Sequence, residues 1–264
     1  MRRLGVFSWF GFIIPMEERF RLIKQAGFDS VFLWWGDEYK EVDGPKEQHP
    51  DLARGQGLIL ENVHLPYWEA NELWTDSLKS DELVEVYAKG INGCAEHGIP
   101  TAVMHITRGS EPPPMNPKGM ERIKMLVELA EKGNVNIALE NLRKPEYLEY
   151  LLSGIDSDRL GFCYDSGHEN CYTKGEDFLP KYGSRLMTMH LHDNDGTEDQ
   201  HLIPGEGDID WQAMVQKLDA AQNTGALTFE VTNEFSGLRE GETPEEFLRR
   251  AYSTAVWIRD MIEK

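Results

Sequence analysis

Short apolar runs alternate with amphipathic stretches along the whole chain. LGVFSW (4–9) reads as a strand, and residues 16–26 follow with a helical pattern that puts Phe20, Ile23 and Ala26 on one face and Gly27 at the stop. SVFLWWG (30–36) predicts a second strand. A polar stretch rich in Pro and Gly (37–57) leads to a third, LILENVHLPY (58–67). A helix over 81–97 takes Ser80 as N-cap, carries Asp81 and Glu82 in its first turn and ends at Gly98. TAVMHIT (101–107) is the fourth strand. A Pro-rich loop (112–117) then opens a helix over 117–132, which Gly133 stops.

The second half repeats the grammar. VNIALEN (135–141), LGFCYDSGH (160–168), RLMTMHLHD (185–193) and ALTFEVT (226–232) read as strands five to eight. Helical segments are expected from Pro145, from about Glu176 and from near Asp210. The last helix opens with Thr243, Pro244 and Glu246, a capping box with Pro at the first helical position. Strands alternating with helices over 264 residues are the size of an α/β (β/α)8 TIM barrel, read here as a single domain over 1–264. A doubly wound open sheet is the alternative, but no GxGxxG follows the first strand.

A buried parallel strand should be continuously aliphatic. Strands three to eight instead end in His64, His105, Glu140, Asp165 with His168, His190 with His192, and Glu230. In a barrel, strand ends far apart in sequence meet on one face, where active sites form. Each residue alone has a structural explanation, such as a hydrogen-bonded histidine or a helix cap. Together they would bury many ionisable groups at several kcal/mol each unless paired or coordinated. A divalent cation is the economical counter-charge, and Glu140, Asp165, His190 and Glu230 make a mixed O/N set suited to Mn, Co, Mg or Zn. Trp9, Trp34 and Trp35 end the first two strands and with Trp68 can wall the pocket and stack on a flat ligand face, although core packing accounts equally well for Trp34 or Trp35. In DQHLIPGEGDIDW (199–211) the glycines permit a close backbone approach, and Asp199 and His201 can turn toward the pocket, a solvent loop with Asp210 capping the next helix being the equal alternative.

Charge narrows the chemistry further. With 27 basic and 46 acidic residues the net charge is −19, a field that repels nucleic acid and anionic membranes. Arg54, Arg108 and Arg143 are the main cations expected near strand ends. The loops after strands seven and eight, where TIM barrels commonly hold phosphate, carry only Arg239. A neutral substrate rather than a heavily phosphorylated one is therefore expected. The opening MRRLGVFSWFGFIIP imitates a signal peptide, but no small-residue cleavage site follows and Pro15 leads into a helical pattern. No run approaches the roughly 18 apolar residues of a membrane span. Cys94, Cys163 and Cys171 form no CxxC pair and read as structural thiols, so a reducing cytoplasm is expected. His49 and His97 receive no site role.

The ordered set VHLPY (63–67), MHIT (104–107), ALEN (138–141), CYDSGH (163–168), MHLHDND (189–195), PGEGDIDW (204–211) and FEV (229–231) resembles the xylose isomerase-like TIM-barrel superfamily along essentially the whole chain. That superfamily includes sugar isomerases and epimerases, inosose-type enzymes and endonuclease IV. The resemblance to its ketose 3-epimerases implies one metal held by Glu140, Asp165, His190 and Glu230. His190 is taken over His192 because HLHD satisfies their His-x-x-acid pattern. It also implies that Glu140 and Glu230 are catalytic and exchange the substrate proton, with Glu146 and His168 orienting the sugar; Trp9 and Trp34 are expected to line its site from their strand-end positions. The Arg that those epimerases place six residues after the metal His is Gly196 here.

Similarity to endonuclease IV implies a different outcome, a zinc phosphodiesterase acting on abasic sites. Its zinc-ligand positions match His64, His105, Glu140, Asp165, His168, His190, Asp199, His201 and Glu230, and Tyr67 also has a counterpart. The acidic PGEGDIDW and DEYKEVDGPKE (37–47) stretches, where DNA would lie, weigh against it. The expectation is thus a metal-dependent sugar or polyol isomerase/epimerase, with the zinc phosphodiesterase as the alternative and a metal-retaining binding protein as a third class. Homo-oligomers are common in the superfamily, and the chain's apolar loop residues allow one.

Overall fold

The computed structural model describes residues 1–234 and 241–264. Its strands are β1 (Leu4–Phe7), β2 (Ser30–Trp34), β3 (Ile59–His64), β4 (Thr101–Met104), β5 (Asn136–Glu140), β6 (Leu160–Asp165), β7 (Leu186–His190) and β8 (Leu227–Phe229). They lie in the order β7-β6-β5-β4-β3-β2-β1-β8, and every named pair is parallel. The ring closes where Leu191 faces Phe229, with Leu191 N donating to Thr228 O at 2.9 Å and Glu230 N to Leu191 O at 3.1 Å. β1 has both β2 and β8 as neighbours, which an open doubly wound sheet does not allow. The fold is a TIM barrel.

The helices are α1 (Met16–Ala26), α2 (Lys40–Asp43), α3 (His49–Gly55), α4 (Leu78–Glu96), α5 (Pro117–Gly133), α6 (Pro145–Gly154), α7 (Ser166–Tyr172), α8 (Phe178–Tyr182), α9 (Trp211–Ala220) and α10 (Pro244–Ile262). Several caps stand where the sequence places them. Asp210 accepts from Gln212 N and Ala213 N to start α9, and Thr243 with Glu246 forms the capping box of α10. Two expectations shift. α4 begins at Leu78 because Ser77 is the cap, and Ser80 is its box partner rather than the cap itself. The stretch 37–57, read as polar loop, holds α2 and α3; buried Arg19 on α1 pairs with Asp43 at 2.8 Å and fixes it against the barrel.

Most buried apolar side chains pack between the strands and the helices, and a smaller cluster of Val103, Ala138 and Cys163 fills the inside of the barrel. Interior volume is also taken by small polar groups, with Asn62 donating to Thr188 at 3.0 Å. Strand alternation separates two neighbouring tryptophans. Trp34 lines the cavity at the strand ends, whereas Trp35 turns outward and is buried against α4. There a Cβ added to Gly93 would lie 2.6 Å from Trp35 Cζ2. Gly93→Ala would gain about 1 kcal/mol of helix propensity, but overpacking a buried ring costs about 1–3 kcal/mol. Urea denaturation of Gly93→Ala is expected to show net destabilisation; a gain in stability would mean that α4 can move away from β2.

Candidate metal centre

The chemical residues at the ends of β3 to β8 occupy equivalent places. His64, Glu140, Asp165 and His190 are the last residues of β3, β5, β6 and β7, while His105 and Glu230 follow β4 and β8 by one. The side chains converge on a single buried cluster. One ligand atom from each of Glu140, Asp165, His190 and Glu230 lies within 4.8 Å of the others. His190 Nδ1 sits 3.1 Å from Glu140 Oε1 and 3.0 Å from Glu230 Oε2. Glu140 Oε2 also meets His105 Nε2 at 2.8 Å and His64 Nε2 at 3.2 Å.

His168 is not on the strand but in the first turn of α7, whose N-cap is Asp165. Its Nε2 meets Asp199 Oδ2 at 3.1 Å, and His201 Nε2 lies 3.5 Å from the same oxygen. His192, passed over in the sequence in favour of His190, is equally buried. Its Nε2 is 3.0 Å from Asp165 Oδ1, its ring stacks on His201 at 4.2 Å, and it groups with His201 and Glu230 as a further candidate ligand set. Glu146 lies apart, exposed on the first turn of α6.

The donor set fits a metal. In His64, His168 and His201 the Nδ1 atoms meet the backbone carbonyls of Leu65, Asn141 and Glu230 at 2.8–3.0 Å. A carbonyl only accepts, so those nitrogens carry the hydrogens and the Nε2 atoms face the carboxylates, as in histidines that bind metal. Asp199 Oδ1 is buried with no hydrogen-bond partner.

Without a metal, protons supply the missing positive charge. Burial works to lower the histidines, but neighbouring acid groups outweigh it: Asp165 and Asp199 at His168, Cys163, Glu230 and Glu140 at His190, and Asp199 at His201, which rises to about 10. Burial works to raise the carboxyls, yet His190 and His105 hold Glu140 well below the usual range, and His190 brings Glu230 down to about 2. His105 itself is pushed down because its burial outweighs Glu140.

A loop supplies Asp199 and His201, and a single carboxylate folds it. Buried Asp193 accepts from Asn194 N (2.9 Å), Gly205 N (2.8 Å), Ile209 N (3.1 Å) and Trp211 Nε1 (2.8 Å). Gly205 has φ +92°, and a Cβ on Gly207 would lie 2.4 Å from Asp193 Oδ1, so both glycines permit the wrap. Asp193 and Leu202 then exchange two backbone hydrogen bonds, 2.8 and 2.9 Å, and His201 adopts φ +48°. The sequence pointed to these glycines, but it used Asp193 only as the acid of the HLHD pattern and gave it no part in folding the loop. Asn141, in ALEN, was likewise missed; its side chain bonds both Asp165 N and Asp165 O.

Two cavities open onto the cluster. One, about 280 Å³, is lined by Trp9, Trp34, Tyr39 and Trp68 above His64 and Glu230. Glu38 holds two of these walls, accepting from Trp34 Nε1 at 2.8 Å and Trp68 Nε1 at 3.0 Å. The other, about 710 Å³, is reached past His105 and His168. Arg108 and Arg143 line it, whereas Arg54 donates to His97 O at the opposite end of the barrel, and Arg239 lies outside the described residues.

The xylose isomerase-like TIM-barrel model matches residues 20–251. The chain belongs to this family. Among its relatives, the protein y4fM of Sinorhizobium fredii is 29% identical over 91% of this chain and 88% of its own length. Fructoselysine 3-epimerase of Shigella flexneri is 23% identical over 87% of this chain and 90% of its own. The solved structure of D-psicose 3-epimerase from Clostridium cellulolyticum superposes with a TM-score of 0.78 at 14% identity, covering 98% and 99% of the two chains. The barrel is thus shared with that solved structure. Among the described residues, no helix is long and apolar enough to cross a membrane, and Cys94 and Cys163 are buried thiols.

Two outcomes are expected of the cluster. Stability from the raised histidines is complete below their unfolded value of 6.5 and drains away as pH climbs toward about 10 for His201. Stability from the lowered carboxyls is complete above 4.5 and lost as pH falls toward about 2 for Glu230. The melting temperature of chelator-treated protein should therefore fall between pH 6.5 and 10; a flat profile there would show that the histidines do not carry the charge. Asp193→Asn places an amide among four donors and should cost about 1–3 kcal/mol. Proteolysis within 194–210 should accelerate with it, and unchanged cleavage would remove Asp193 as the anchor.

Proposed function

We propose that the protein is a metal-dependent isomerase or epimerase of a small sugar or polyol, working by proton transfer at Glu140 and Glu230. The observation that carries this is that both carboxylates meet the same buried His190 Nδ1, at 3.1 and 3.0 Å, directly beneath an aromatic cavity. The family and the epimerases among its relatives support the reaction class.

Glu140, Asp165, His190 and Glu230 would hold the ion, of the Mn, Co, Mg or Zn class, and when bound it would polarise a carbonyl or hydroxyl of the substrate. Glu230 lines the cavity and is the base that a bound sugar meets first, whereas Glu140 lies deeper, under His64 and His105. Both are carboxylates at neutral pH and can accept a proton. Removing the hydrogen from a carbon next to a carbonyl leaves its electron pair in an enediolate of the substrate; returning a proton to the other face inverts that carbon. Trp34 and Trp68, fixed by Glu38, present flat apolar faces to a sugar ring and displace water from it.

Glu140→Gln and Glu230→Gln are each expected to lower the exchange of substrate hydrogen into deuterated water by about 10²–10⁴-fold with the fold intact. Near wild-type exchange in either would end the two-glutamate reading. Elemental mass spectrometry should find close to one divalent ion per chain. Three zincs would instead bring in His64, His105, His168, Asp199 and His201 and favour the phosphodiesterase, which the gathering of these residues around the same cluster keeps as the second reading.

A further inference from the structure

Two columns of stacked rings run outward from the cluster. In the first, His105 stacks on Tyr67 at 4.4 Å, Tyr67 meets Trp68 at 4.6 Å, and the Arg108 guanidinium lies 5.3 Å above Trp68. In the second, His168 stacks on Tyr172 at 4.9 Å, and the Arg143 guanidinium lies 3.3 Å above Tyr172. The 710 Å³ cavity lies between the columns, with the two histidines at its inner end.

Stacking occupies the face of a guanidinium and leaves its in-plane N–H groups available. Arg108 is also fixed through its backbone, since Asn71 accepts from Arg108 N at 2.8 Å and donates to Arg108 O at 3.0 Å. Among the described residues, neither arginine forms an ion pair with a carboxylate. The acids that line the same cavity are engaged elsewhere: Glu69 with Lys79, Glu72 with Thr75 and Ser77, and Asp199 with His168. In a chain with 46 acidic and 27 basic residues, two unpaired arginines beside one cavity are not forced by composition.

We infer that this cavity binds an anionic substituent of the substrate, a carboxylate or a phosphate monoester, through Arg108 and Arg143, which both line it. The inference rests on the proposed sugar chemistry at the adjoining cluster and narrows its substrate class to sugar acids or sugar monophosphates. It departs from the neutral substrate expected of the sequence, where Arg108 and Arg143 are named as cations near strand ends but phosphate binding is judged by the loops after strands seven and eight. These cations follow β4 and β5 instead.

The test is calorimetric titration of the untreated protein with two matched pairs, D-gluconate against D-sorbitol and D-fructose 6-phosphate against D-fructose. Charge-assisted hydrogen bonds of this kind should favour the anion in at least one pair by about 10- to 100-fold. The pair that shows it identifies carboxylate or phosphate. The preference should vanish in Arg108→Gln/Arg143→Gln and persist in Lys124→Gln/Lys132→Gln, which removes the same charge from exposed positions on α5. Equal binding within both pairs, no binding at all, a preference that survives loss of the arginines, or one lost in the lysine control would each overturn the inference. Deuterium exchange by the untreated wild-type protein on the same ketoses judges the epimerase reading separately. Its failure would leave the calorimetric result standing, and the reverse also holds.

Discussion

Carboxylates removed from water beside one another repel strongly unless positive charge is brought among them. Glu140, Asp165 and Glu230 are in that position with half-buried Asp199 beside them, and six of the chain's eight histidines surround them. This balance constrains much of the molecule. Protons on His168, His190 and His201 meet it when no cation is bound, and a divalent ion would displace them, which links occupancy to pH. The chain's large acidic excess makes the local balance more exacting, since the surrounding field already favours cations.

Holding such groups in register requires a stiff frame, and the barrel supplies it through backbone clamps rather than through packing alone. Asn141 bonds both backbone groups of Asp165, Ser166 Oγ exchanges hydrogen bonds with His192 N and O, and three imidazoles are pinned by carbonyls. Space is restricted to match. A Cβ on Gly167 would stand 1.9 Å from His192 Cε1, so the turn after β6 and the ring beneath it must fit together. These contacts orient the ligands while leaving the two cavities above them open.

Much of this was legible in the sequence because strand ends are strongly constrained. Polar residues closing otherwise aliphatic runs are costly, so His64, His105, Glu140, Asp165, His190 and Glu230 stood out, and a barrel brings such positions together. Long-range geometry was less visible. Trp34 and Trp35 look alike in sequence, yet alternation along β2 sends one to the cavity and the other to α4. His192 was set aside on a spacing rule, whereas its position depends on Asp165 and His201, far away in the chain. The helices α2 and α3 were hidden by their polar composition, because their support comes from outside, notably from the Arg19–Asp43 pair. Asp193 reads as one more acid in an acidic motif; only the folded loop gives it four donors.

The seam where the barrel closes gives these contacts a second meaning. β7 and β8 are joined by one bridging residue pair, Leu191 with Phe229, while the other neighbouring strands share between two and five. His190 and Glu230 stand on opposite sides of that seam and meet at 3.0 Å. Chemistry and closure therefore share one joint. Ion occupancy would act as a rivet across the most sparsely laced edge of the cylinder, and any drift toward a different ligand pair would have to be matched by stronger lacing between the last two strands.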